Sequence, residues 1–211
     1  MNPIKIGLLG LGTVGGGTLK VLQRNQEEIR RRAGRGIEVA LIAVRNVEKA
    51  RAIVQEAGAT VPVVGDPFAV VDSPEIDIVV ELIGGYDLTR ELVLRAIANG
   101  KHVVTANKAL LADHGEEIYR TAQENNTGIY YEAAVGGGIP ILRSQRAGLI
   151  GNRIESIYGI LNGTCNYILT RMEREGLPFD EILADAQALG YAETPPDLDI
   201  DGVDTAHKAV V

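Results

Sequence analysis

The sequence predicts a doubly wound parallel α/β sheet followed by a smaller, incomplete α+β domain. Three observations predict it. Short apolar stretches alternate with amphipathic ones through the first 130 residues, the order of a parallel sheet covered on both faces. The first apolar stretch runs straight into a glycine turn, Gly10-Leu11-Gly12. Past residue 130 the alternation gives way to Gly136-Gly137-Gly138 and an acidic, proline-containing stretch from Glu193 to Asp204. The domains are accordingly placed at 1–130 and 131–211.

The elements follow in order. Ile4–Leu9 reads as a buried strand. Leu19, Leu22, Gln26 and Ile29 form a helical stripe that stops at Gly34, with Arg30-Arg31-Arg32 as its solvated, dipole-compensating end. Ile37–Val44 is a second strand, and Asn46 caps a helix ending at Gly58. Ile76–Ile83 reads as a strand, Leu88–Ala98 as a helix, His102–Thr105 as a strand and 109–124 as a helix. In the second part, Ile154–Leu161 reads as a strand, with Tyr167–Arg174 and Phe179–Leu189 as helices. The chain stops inside an apolar helical pattern at Ala209-Val210-Val211, so it reads as truncated.

Composition excludes several classes. The 211 residues are 45% hydrophobic and 23% charged, which suits one or two globular domains. A net charge of −7 argues against a broad nucleic-acid surface. A single cysteine forms no internal disulfide and points to a reducing cytoplasm. There is no signal-peptide pattern, and no apolar run approaches the roughly 18 residues of a membrane span. The three histidines are scattered, without metal-ligand spacing.

Gly10-Leu11-Gly12-Thr13-Val14-Gly15 is G-x-G-x-x-G between a strand and a helix. The first glycine permits the turn, the second admits a pyrophosphate and the third lets helix and strand pack closely. The pattern predicts a Rossmann-type nicotinamide dinucleotide site. The second strand ends in Val44-Arg45-Asn46, followed by Lys49 and Arg51, where an NAD protein usually has an acid for the ribose. Arg45 there suits the extra phosphate of NADP, so NADPH is the expected preference, with NAD possible.

With Thr105-Ala106-Asn107-Lys108 added to these motifs, the chain resembles the homoserine dehydrogenase family over nearly all of its 211 residues. The resemblance runs through Gly7–Gly15, Glu81-Leu82-Ile83-Gly84-Gly85 and Thr105–Lys108. It continues through Glu132–Pro140, Gly159–Thr164 and Leu189–Glu193, closing with Asp199, Gly202, Asp204 and Lys208. It implies reversible interconversion of aspartate semialdehyde and homoserine, in threonine, methionine and isoleucine biosynthesis. It also implies Lys208 as proton donor and Lys108 as a catalytic and cofactor contact. Glu193, Asp199 and Asp204 become substrate ligands, and Thr105 and Gly190 cofactor contacts. A monovalent cation, sodium, is implied at Glu132, Val135, Gly137 and Ile139. The family continues well past Lys208 and is expected to form homo-oligomers at full length. In one departure, Pro195 stands where an acid is common in the family.

The chemistry agrees with these residue types. Aldehyde reduction consumes a hydride and a proton, and only the hydride comes from the cofactor. Asp204 and Lys208 are four apart and share a helix face. Two rival classes stay open: a thiol-dependent aspartate semialdehyde dehydrogenase using Cys165, and a non-catalytic dinucleotide-binding module. Cys165 reads as a packed residue and the Glu193–Asp204 run lacks the spacing of a calcium loop. With Lys208 three residues from Val211 on a fraying end, the isolated chain is expected to bind NADPH and to turn over poorly.

Overall fold

Ile4–Leu9 forms β1, the strand on which the first half of the fold is built. In the computed structural model, which describes residues 2–192 and 194–211, β1 lies between β2 (Ile37–Ala43) and β4 (Ile78–Glu81). The remaining strands are β3 (Val63–Val64), β5 (His102–Thr105) and β6 (Ile129–Tyr130). The order is β3-β2-β1-β4-β5-β6 and every neighbouring pair is parallel. Strands in such a sheet are buried on both faces, hence their continuous apolar character. Leu8 and Leu9, which point to opposite faces, are both fully buried.

Six helices join these strands: α1 (Thr13–Arg24), α2 (Gln26–Ala33), α3 (Val47–Glu56), α4 (Phe68–Val71), α5 (Asp87–Ala98) and α6 (Lys108–Glu124). Leu19 of α1, with Ala50 and Val54 of α3, meets Leu8, Ile42 and Val80 in one core. Asn46 caps α3 by accepting from Lys49 N at 3.0 Å, and Asn107 caps α6 by accepting from Leu110 N at 3.1 Å. The stripe from Leu19 to Ile29 is two helices rather than one. The break falls at Asn25, and the Gln26 side chain turns back to donate to the Ile37 carbonyl at 2.8 Å. The strand expected over 76–83 is shortened to Ile78–Glu81 because the chain bends after Glu81. β3 and α4 are too short to carry a period visible in the sequence.

By its contacts the chain divides into Met1–Ala134 and Val135–Val211. The second unit contains a short helical turn, α7 (Ile141–Arg143), then α8 (Gly163–Glu175), α9 (Phe179–Ala188), α10 (Asp197–Ile200) and α11 (Val203–Val210). Ile168 of α8 packs on Ile182 and Ala186 of α9. The strand expected over Ile154–Leu161 does not form. Residues 153–162 have no ladder partner among the described residues, and Tyr158 is 93% exposed. A lone strand leaves its N–H and C=O groups unpaired, so apolar content alone cannot make one.

Candidate active site

At the C-terminal edge of the sheet the strand order reverses between β1 and β4, which opens a crevice there. The glycine turn sits in it. Gly10 has φ 98°, and a Cβ on it would lie 2.7 Å from the Leu82 carbonyl oxygen. A Cβ on Gly15 would lie 2.3 Å from the Gly10 oxygen, so the third glycine lets α1 close onto the turn. Nothing lies within 4 Å of a Cβ on Gly12, so the backbone there faces open space. No side chain caps α1, and its first N–H groups and positive dipole end face that space.

The crevice is a cleft of about 850 Å³. It is lined by Gly10, Leu11, Gly12 and Thr13 of the glycine turn, by Arg45 and Lys49 after β2, and by Leu82 and Ile83 after β4. Of the other residues expected at a cofactor, Val14 turns outward and Gly15 is buried beneath the turn. Arg45 and Lys49 are exposed, and among the described residues neither side chain has a carboxylate partner. Lys20, also on the wall, is paired with Glu56 at 2.9 Å, which holds that carboxyl below its usual range. Thr105 is 1% exposed, and its hydroxyl turns inward to Glu81. Lys108 is the first residue of α6, beyond the end of β5.

The second unit holds a separate polar cluster. Asn162 caps α8, its Oδ1 accepting from Cys165 N at 2.7 Å. Its Nδ2 donates to both Asp199 Oδ1 and Asp204 Oδ2, each at 2.8 Å, and so ties two carboxylates together. Thr164 Oγ1 lies 2.7 Å from the Tyr191 carbonyl oxygen and 3.2 Å from Asp199 Oδ2. Lys208 Nζ donates to Asp204 Oδ2 at 2.5 Å and to the Leu161 carbonyl at 2.6 Å. The i,i+4 spacing thus does place Asp204 and Lys208 on one face of α11, and both side chains are largely buried. Asn162 and Thr164 were not singled out as site residues. The signal was there: Asn-Gly-Thr before an amphipathic run is a helix-start pattern whose amide has a second end to spend.

Glu193 lies outside the described residues. Gly190, with φ 76°, closes α9, its N–H donating to the Gln187 carbonyl at 3.0 Å. Of the four carbonyl residues expected at a cation, Glu132 begins a 3₁₀ turn in the first unit. Val135, Gly137 and Ile139 belong to the second unit, and the Ile139 carbonyl already accepts from Ile141 N at 2.8 Å. Cys165 is partly buried, with Sγ 3.2 Å from the Asp199 carbonyl oxygen. Burial, reinforced by the Asp199 and Asp204 carboxylates, pushes its thiol above the ordinary cysteine range. A nucleophilic thiol needs the opposite environment, cationic and accessible.

Comparison with known proteins agrees with this layout. Residues 10–132 match the family model "Homoserine dehydrogenase, NAD binding domain", and residues 140–211 match "Homoserine dehydrogenase". The chain is 57% identical over 211 residues to a homoserine dehydrogenase of Pseudomonas aeruginosa and covers 48% of that protein. A homoserine dehydrogenase of Bacillus subtilis is 43% identical over 213 residues, again with 48% covered. Among solved structures, a homoserine dehydrogenase from Thiobacillus denitrificans superposes with a TM-score of 0.94 at 59% identity. That match covers 99% of this chain and 47% of that one. A hyperthermophilic archaeal homoserine dehydrogenase in complex with NADPH matches with a TM-score of 0.82 at 30% identity, covering 98% of this chain and 67% of the other. The chain thus spans about half the length of the curated relatives it matches.

Proposed function

The chain belongs to the homoserine dehydrogenase family, and from that premise we propose that its protein interconverts L-aspartate 4-semialdehyde and L-homoserine with a nicotinamide dinucleotide. Such an enzyme serves threonine, methionine and isoleucine biosynthesis. The observation that carries the reading is the cluster in which Asn162 holds Asp199 and Asp204 together while Lys208 rests on Asp204. It joins a proton donor to carboxylates suited to a substrate's α-ammonium group.

The bound dinucleotide supplies or accepts the hydride. The protein's residues do the rest. The N–H groups at the start of α1 hold the pyrophosphate, and Gly12 leaves room for it. Arg45, with Lys49 beside it on the cleft wall, binds the 2′-phosphate and gives NADPH its preference over NADH. Lys208 Nζ hands a proton to the aldehyde oxygen as negative charge develops on it, and takes it back in the reverse direction. Asp199, Asp204 and Glu193 hold the substrate ammonium, and Lys108 touches substrate and nicotinamide. Thr105 serves the cofactor through the loop it braces rather than through its buried hydroxyl. Gly190 is assigned as a further cofactor contact, and domains of 1–130 and 131–211 are the division proposed for these two tasks.

The carbonyls of Val135, Gly137 and Ile139, with Glu132 just before them, are the oxygens assigned to a monovalent cation, sodium. A glycine-rich turn suits such a cation because backbone oxygens carry no charge of their own to overcompensate it. Homo-oligomers of the whole protein are part of the same proposal. No described helix is long and apolar enough to cross a membrane, and a lone thiol suits the reducing cytoplasm proposed as its compartment. The raised thiol of Cys165 speaks against the thiol-dependent alternative.

The test is paired. Fluorescence titration of the 211-residue chain with NADPH and NADH examines the cofactor site. Homoserine-dependent reduction of NADP⁺ by the full-length protein, abolished without homoserine and independent of phosphate, examines the reaction. Cofactor binding without turnover at full length would leave only the dinucleotide-binding module.

A further inference from the structure

Glu81 is a carboxylate with no exposed surface, placed at the end of β4 where the sheet's order reverses. Its Oε1 accepts from Ile83 N at 2.8 Å and Gly84 N at 2.9 Å. Its Oε2 accepts from Thr105 Oγ1 at 2.6 Å, at the end of β5. Thr105 Oγ1 in turn accepts from Asn107 N at 3.0 Å, and Asn107 Nδ2 donates to the Gly85 carbonyl at 2.7 Å. One carboxylate therefore lashes the loop 82–85 after β4 to the loop 106–108 after β5. Burying a charge is costly, and satisfying it with three donors only offsets that cost. The neighbouring Val79 and Val80 are apolar, and a valine at 81 would avoid the cost entirely. Packing does not explain the residue, whereas a need for fixed loops does.

Resting on the reading above that this unit binds a nicotinamide dinucleotide, we propose that Glu81 is the positioning residue for the nicotinamide half of the cofactor. It acts through Thr105 and the Ile83 and Gly84 amides, which set the two loops bounding the nicotinamide ribose and ring. A dinucleotide crosses such a sheet at the point of reversal, with one half on each side. The adenosine half lies on the β1–β2 side, where Arg45 is. The other half then lies beyond β4 and β5, on the loops Glu81 holds. Leu82 and Ile83 of the first loop already line the cleft, and Lys108 ends the second.

The experiment separates the two halves. Wild type, Glu81→Ala, Thr105→Val and Glu81→Gln are titrated with NADPH and with adenosine 2′,5′-bisphosphate, which lacks the nicotinamide half. Emission of the reduced nicotinamide is the second readout. Glu81→Ala and Thr105→Val should lose about tenfold or more in NADPH affinity, because binding must then order two loops that the carboxylate no longer holds. They should also lose the change in nicotinamide emission on binding, while affinity for the bisphosphate stays within about twofold. Glu81→Gln keeps the Oε1 acceptor for the Ile83 and Gly84 amides and can donate Nε2 to Thr105 Oγ1, but the Thr105 hydroxyl proton then loses its acceptor, so NADPH binding and emission should be restored in part. Thr105→Val removes the hydroxyl's two hydrogen bonds, to Glu81 and from the Asn107 amide, at nearly constant volume, and it decides the question alone if Glu81→Ala does not fold. Parallel losses for NADPH and the bisphosphate, or unchanged NADPH binding in both variants, would overturn the proposal. A wild-type chain that binds neither would overturn the dinucleotide reading itself.

Discussion

Replacing Arg45 with alanine should weaken NADPH binding about tenfold and leave NADH binding nearly unchanged. Arg45 is exposed at the end of β2, on the cleft wall that also carries Lys49. Among the described residues it has no carboxylate partner, so its removal strands no buried charge and should cost the fold little. What is lost is a charge-assisted hydrogen bond to the 2′-phosphate, worth about 1.5–3 kcal/mol. Solvent screening at an exposed site favours the low end, and about 1.4 kcal/mol is a factor of ten. Lys49 remains as a second cation, so preference for NADPH should shrink without vanishing, and Arg45→Ala combined with Lys49→Ala should remove most of it. Lys20 cannot substitute fully because Glu56 already neutralises it at 2.9 Å. The assay is fluorescence titration with both cofactors at low and high salt. Wild-type affinity for NADPH should fall more steeply with salt than affinity for NADH, and the variant should lose that difference. Equal proportional losses for NADPH and NADH would refute the phosphate-partner role.

Three further outcomes are expected. At full length, Lys208→Ala should slow hydride transfer about 10²–10⁴-fold, the usual worth of a positioned general acid, with cofactor affinity hardly moved. Single-turnover kinetics decide it, and a larger loss at the chemical step from Lys108→Ala would reverse the two roles. Cys165 should react with iodoacetamide more slowly than free cysteine at pH 8. Its raised thiol forms thiolate only above the ordinary range of about 8.5, and unfolding in urea should restore the normal rate. Lys101→Met should destabilise the first unit by about 1–3 kcal/mol, since the buried ammonium donates to the Ser73 carbonyl at 2.5 Å and the Ile76 carbonyl at 2.9 Å. Burial holds Lys101 below its ordinary range, against the pull of Asp77 and Asp72. Between that lowered value and about 10.4 the unfolded chain holds more protons, so wild-type stability should rise with pH relative to Lys101→Met in urea melts.

The sequence by itself determined the elements whose signals are local. The glycine turn, the cap at Asn46 and the i,i+4 pair of Asp204 and Lys208 all fall within a few residues of chain, where backbone geometry fixes which side chains meet. The alternation of strand and helix carried the parallel sheet for the same reason. Tertiary structure alone decided three other things. Whether Ile154–Leu161 forms a strand depends on a partner that supplies hydrogen bonds, and apolar content says nothing of that. The stripe from Leu19 to Ile29 breaks at Asn25, and just past the break Gln26 reaches the Ile37 carbonyl, a contact eleven residues away. Glu81 and Thr105 are 24 residues apart, and Asn162 and Asp204 are 42 apart. Nothing in their spacing announces that each pair shares a proton at 2.6 and 2.8 Å. An acid inside an apolar strand and an asparagine before a helix are visible anomalies in a sequence. What they bond to is set by which strand ends and helix starts the fold brings together.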